Sequence, residues 1–133
     1  MSERRVPLGP VWFLPKRGFV VVPILVPYKL PDGTQARSAL VGFVDGRYVA
    51  FANVCRHLAI QLDLGDGEVM DDENHQIVCH HHGAIFEPDT GECVVGPCHG
   101  DWLWRWRVEI EGGEATLVIG GEGEVTPKGP SDE

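Results

Sequence analysis

Long apolar runs, helical periodicity and basic charge are all scarce in this 133-residue chain. No apolar run of roughly 7–15 residues follows Arg4 and Arg5 ahead of a small-residue cleavage site, so no export signal is expected. The most apolar stretch, Phe19–Val26, is too short to cross a bilayer and contains Pro23. Basic residues number 11 against 20 acidic ones, giving a net charge of −9. That sign excludes nucleic acid and an anionic membrane as main partners, since both select basic faces. No helical pattern of about ten residues or more is found, and no internal repeat. Disulfides are not expected either. Without an export signal, the four cysteines favour a metal site or thiols, and the expected compartment is the cytoplasm.

What the chain has in quantity is turn formers, 17 glycines and 10 prolines, on an ordinary globular background of 43% hydrophobic and 23% charged residues. One all-β domain is expected. Phe19–Val26 is rich in Val and Ile, which suit strands. Ser38–Val44 and Arg47–Val54 flank Asp45-Gly46, the signature of a tight hairpin. Pro31-Asp32-Gly33 marks another turn. In Trp102–Glu111, the residues Trp102, Trp104, Trp106, Val108 and Ile110 share one parity, and charged residues share the other, with Leu103 the exception. That alternation predicts a strand with one buried face, so the tryptophans read as core and not as a binding stripe. Gly112-Gly113 then turns the chain into a partner strand, Ala115–Ile119.

The charge imbalance is local. Residues 62–78 hold Asp63, Asp66, Glu68, Asp71, Asp72 and Glu73 and no Lys or Arg. The polar, Gly/Pro-rich tail 121–133 carries the rest and is expected to be disordered, so the domain is expected to span residues 1–120.

Two clusters carry the chemistry: Cys55-Arg56-His57, and Cys79-His80-His81-His82-Gly83. Each sits where a strand gives way to a loop, one after Val49–Val54 and one after Gln76–Val78. Soft thiolate and imidazole donors converging from two loops make a metal site, suited to tetrahedral zinc or to an iron–sulfur cluster. The order Cys, His, Cys, His differs from the common zinc finger, whose His pair lies on a helix; Gly83, Pro88 and Thr90-Gly91 oppose a helix here. One Cys and one His per loop suits a two-iron cluster.

With these motifs in place, C-x-H in CRHLAIQL and C-x-x-H-G in CHHHGAIFEPDTGECVVGP, the chain resembles Rieske-type [2Fe-2S] proteins over roughly residues 5–120. The resemblance extends to the opening VPLGPVWFLPKRG, the DGRYVAFANVCRH hairpin and the final strand pair. It implies an antiparallel β-sandwich with a small cluster-binding subdomain, about residues 54–98, built on two loops. It further implies that Cys55 and Cys79 ligate one iron of a [2Fe-2S] cluster while His57 and His82 ligate the other. His80 and His81 would be non-ligand loop residues, His75 and His99 solvent-exposed, and Gly96-Pro97 part of a shielding loop. Cys93 and Cys98 are expected to be thiols.

The departures from the family pattern are informative. High-potential members carry an extra Cys in each loop as a disulfide clamp; the matching positions are Ile60 and His81. They also place a Ser and a Tyr whose hydroxyls bond to sulfur; here the residues are Ala84 and Phe86. Without those bonds the reduced state is less stabilised, and the potential is expected near the low end of the roughly −150 to +300 mV that such centres span. Twenty-one residues separate His57 from Cys79, a few more than small members have, and the surplus is the acidic insertion. It reads first as a solvated loop and second as a docking rim.

The expected function is a monomeric, one-electron ferredoxin between a reductase, flavin-dependent by expectation, and an oxygenase or other acceptor, without catalysis of its own. A small Rieske subunit or redox-sensing module of a larger oxidoreductase complex is the alternative. A complete oxygenase is not expected, since that class needs a further domain with a mononuclear iron.

Overall fold

The computed structural model describes residues 3–14, 18–54, 62, 69–71, 76–79, 83–96 and 100–120. They form ten strands in chain order: β1 (Glu3–Pro10), β2 (Gly18–Lys29), β3 (Gln35–Val44), β4 (Arg47–Ala52), β5 (Met70–Asp71), β6 (Gln76–Val78), β7 (Ile85–Phe86), β8 (Cys93–Val95), β9 (Arg105–Glu111) and β10 (Glu114–Gly120). One 3-10 turn, Val11–Phe13, follows β1, and no α-helix occurs among the described residues. The all-β, antiparallel expectation holds.

The larger sheet has the order β1-β10-β9-β4-β3-β2. Its halves, β1-β10-β9 and β4-β3-β2, are joined by two residue pairs, Ala50 with Trp106 and Phe51 with Arg105. They close over one core, in which Trp104 and Trp106 pack with Ala36, Ala39, Ala50, Ala52, Leu117 and Ile119. The small residues of β3 and β4 leave the volume that the indoles fill, the close packing a folded interior requires. Tyr28 meets Trp106 edge-on at 5.8 Å between ring centroids. On the open side, the Arg4 guanidinium donates to the carbonyls of Val26 and Pro27. Those carbonyls lie where β2 has slipped register with β3, between Pro23 and Tyr28, so a side chain ties the two outer strands where no ladder does.

Local chemistry explains most boundaries. The β3–β4 hairpin turns on Asp45 (φ 52°) and Gly46 (φ 81°), the paired left-handed conformation expected of an Asp-Gly turn. The strand expected at Trp102–Glu111 begins only at Arg105; Trp102 makes an isolated bridge to Glu92. Leu103, the apparent exception in the alternation, points into a second core under the smaller sheet, while Trp104 points into the first. Ile110, on the parity expected to be buried, is 46% exposed near the hairpin end. β1 is not among the strands expected from sequence, and it contains Pro7, Gly9 and Pro10. As an outer strand paired only with β10, β1 tolerates the missing donors.

The smaller sheet, β5-β6-β7-β8, lies on the outer face of the larger one. Ile77, Cys79, Phe86 and Cys93 pack with Phe19, Leu40, Phe51 and Leu103. Trp106→Ala is expected to cost ~3–5 kcal/mol in urea or thermal unfolding. Trp12→Ala, at a 66% exposed residue, is expected to stay within about 0.5 kcal/mol.

Candidate metal centre

Three connections matter to the candidate site: those that follow β4, join β6 to β7, and follow β8. Of the four candidate ligands, Cys79 falls among the described residues; Cys55, His57 and His82 lie outside them. So do His75, His80, His81, His99, Cys98, Ile60, Pro97, the tail 121–133, and Asp63, Asp66, Glu68, Asp72 and Glu73 of the acidic segment.

Cys79 directly follows β6 and is fully buried. Its backbone N–H donates to the Ala84 carbonyl at 2.8 Å, and its carbonyl accepts from the Gly83 N–H at 2.8 Å. These two bonds close the C-x-x-H-G loop as the turn of the β6–β7 hairpin, in which Val78 pairs with Ile85 and Ile77 with Phe86. The neck of that loop is therefore held by backbone hydrogen bonds. Ala84 and Phe86, the residues standing where hydroxyls would raise the potential, are both fully buried.

The third loop lies against the second. Gly96 has φ +109°, and a Cβ there would come within 2.9 Å of the Ala84 Cα, so only glycine permits this approach. Cys93 anchors the same loop. Its N–H donates to Asp101, its carbonyl accepts from Gly100, and its thiol donates to the Val95 carbonyl at 3.3 Å.

The first loop's neck lies on the same core. Asn53, next after β4, is fully buried and accepts a hydrogen bond from the backbone N–H of Leu62 at 2.9 Å. Leu62 in turn packs in the cluster containing Cys79, Ala84, Phe86 and Cys93. The exits of all three loops thus converge on one dry core. A fully buried cysteine at a closed loop neck, with a Cys/His donor set on the adjoining loops, fits an iron–sulfur cluster, which needs fixed soft donors shielded from water.

Asn53 and the Gly96–Ala84 contact were not singled out from sequence. A lone polar residue ending the apolar run Val49–Ala52 was the available signal for the first. Arg105 of β9 is a partly buried cation near the smaller sheet's β7–β8 connection. Its guanidinium is held below the usual arginine range, by burial first and by Arg47 second, with Asp89 of the β7–β8 connection acting in the opposite sense. On the exposed sandwich face, Arg5 pairs with Glu109 at 2.8 Å, and Arg107 reaches Glu3 and Glu109. The Glu109 carboxyl is held below its ordinary value, chiefly by the Arg5 hydrogen bond.

Comparison with known proteins bears on this arrangement. No curated protein matches the chain significantly. Among solved structures it is similar to the ferredoxin of carbazole 1,9a-dioxygenase from Nocardioides aromaticivorans IC177, at 26% identity, covering 87% of this chain and 99% of that one, with a TM-score of 0.55. It is also similar to a chain of the complex of reduced oxygenase and oxidized ferredoxin in carbazole 1,9a-dioxygenase, at 22% identity, 92% and 95% coverage and a TM-score of 0.61. The terminal oxygenase of carbazole 1,9a-dioxygenase from Novosphingobium sp. KA1 matches at 21% identity and a TM-score of 0.63, with 96% of this chain covering 34% of the oxygenase. The family model described as the Rieske [2Fe-2S] domain matches residues 27–115, more than half of the sequence, and the chain belongs to that family.

Proposed function

We propose that this chain is a Rieske ferredoxin that holds one [2Fe-2S] cluster through Cys55, His57, Cys79 and His82 and carries single electrons from a flavin-dependent reductase to an oxygenase. The observation that carries the reading is the near-complete match to a dioxygenase ferredoxin, which the chain covers over 99% of its length. A monomer in the cytoplasm, with residues 121–133 outside the folded domain, completes the reading.

When bound, the cluster supplies one-electron Fe(III)/Fe(II) chemistry. The chain's own residues do the rest. Cys55 and Cys79 act as thiolates on one iron, and His57 and His82 as imidazoles on the other. Leu62, Val69, Ala84 and Phe86 form an apolar floor that keeps water from the loop necks. Gly96 lets the third loop close down on Ala84. No acid–base residue and no substrate pocket is required, which suits a carrier that meets its partners transiently. The acids around Asp63, Asp66, Glu68, Asp72 and Glu73 would attract a basic partner face and speed encounter.

Three measurements test this. Aerobically purified protein, reduced with dithionite, is expected to give the rhombic EPR signal of low average g that mixed Cys/His ligation produces. An all-cysteine type of signal overturns the roles of His57 and His82, and Cys79→Ser or His82→Cys tests single ligands. The midpoint is expected near −100 mV, roughly the low end of the Rieske range. Ala84→Ser and Phe86→Tyr are each expected to raise it by about 40 mV, equivalent to about 1 kcal/mol for a one-electron couple. A wild-type midpoint well above about +100 mV contradicts the argument. Third, the rate of electron transfer to an oxygenase is expected to fall with ionic strength, and the slope to flatten when Asp63, Asp66 and Glu68 are changed to Asn and Gln.

A further inference from the structure

The two candidate ligand loops are closed by different means. The second closes through backbone bonds between Cys79 and Ala84 and between Gly83 and Cys79. The first has no counterpart of that kind among the described residues, and the sequence places Ile60 where some relatives carry a clamping cysteine. Among the described residues, the bond that joins its ends is made by the Asn53 side chain.

Asn53 is fully buried, between the apolar end of β4 and Val54. Its Nδ2 donates to Ser38 Oγ at 3.0 Å. Its Oδ1 accepts the Leu62 backbone N–H at 2.9 Å. Its own N–H donates to the Ser38 carbonyl at 3.0 Å. Ser38 and Asn53 are the buried polar residues of the described chain, and they bond to each other. A buried carboxamide is costly unless both ends are satisfied, and an aliphatic side chain of the same size would fill the same space without that cost. It would, however, leave the buried Leu62 N–H without this acceptor. The polar pair thus makes sense as a strut: β3 holds Ser38, Ser38 holds the Asn53 amide, and that amide holds Leu62, across residues 54–61, which contain Cys55 and His57.

We infer that Asn53 is the positioning residue of the first ligand loop, fixing where Cys55 and His57 stand and so governing how tightly and in what geometry the cluster is kept. The inference rests on the ligand assignment proposed above. Asn53 touches no reacting atom; it acts through the loop.

The test compares holoprotein variants by cluster bleaching in excess chelator, EPR linewidth of the reduced form, and deuterium uptake of peptides covering residues 54–62. Asn53→Ala is expected to bleach about tenfold faster, to broaden the EPR lines and to exchange faster in that peptide, the scale of local opening when one buried hydrogen-bonded amide is removed. Asn53→Asp keeps the acceptor for Leu62 and can accept from the Ser38 hydroxyl, so linewidth and exchange are expected to return close to wild type. Leu117→Ala, in the other core, is the control: a lower melting temperature with unchanged linewidth and unchanged uptake at 54–62. Wild-type bleaching and linewidth in Asn53→Ala overturn the inference, as does a Leu117→Ala variant that reproduces its effects. Should Asn53→Ala not fold, Ser38→Ala decides. It removes the bond from Nδ2 to Ser38 Oγ while keeping the Leu62 bond, and a two- to threefold faster bleaching with broadened lines is expected, whereas wild-type behaviour overturns the strut. A wild-type protein without a Rieske signal overturns the ligand assignment and the inference together; a wild-type signal that persists unaltered in the variants overturns the inference alone.

Discussion

The candidate centre depends on a single packing constraint: the outer face of β2-β3-β4 is apolar and must be covered. Phe19, Leu40 and Phe51 point away from the sandwich interior and would lie in water if the smaller sheet did not cover them. Burial at about 25 cal/mol per Å² makes covering such a face the strongest local driving force available. The cover is a four-stranded sheet of strands two or three residues long, too slight to stand alone. Each element supplies what the other lacks, since the sandwich gives the small sheet a floor and the small sheet seals the sandwich. Cys79, Ala84, Phe86 and Cys93 are buried because they belong to that seal.

Hydrogen bonds then work at the loop necks. Packing fixes the floor in a non-directional way, while the positions of individual loops need directional bonds, each made in a dry setting where it cannot be exchanged for water. The second loop obtains them from its own hairpin backbone. The third uses both backbone groups of Cys93 and its thiol. The first leaves a strand that ends at Ala52, and the Asn53 side chain just beyond accepts from the Leu62 N–H. Each of the three loops thus starts from a strand end held by directional bonds to the same core.

Surface charge is arranged separately from this. The Arg5, Arg107, Glu3 and Glu109 network lies on the exposed face of β1-β10-β9, distant in topology from the loops, and such exposed pairs contribute little to stability. Arg105 differs because it is partly buried and lies in the field of both Arg47 and Asp89. The acidic segment lies in the sequence between the two Cys/His motifs.

Sequence alone determined the all-β class, the Asp45-Gly46 and Gly112-Gly113 hairpins, the buried tryptophans at 104 and 106, and the two ligand motifs. Each of these is written locally, as alternation, a turn dipeptide or a fixed ligand spacing. Tertiary structure alone decided the rest. β1 is a strand because its prolines fall on an outer position, which no local pattern announces. Leu103 breaks the alternation because a second sheet waits on the other side of its strand. Gly96 matters because Ala84 lies against it. Asn53 is read as a strut only once Ser38 and Leu62, 15 and 9 residues away, are seen at its two ends. Which residues could bind a cluster follows from their chemistry and spacing; what holds them in place follows from contacts between segments that only the folded chain brings together.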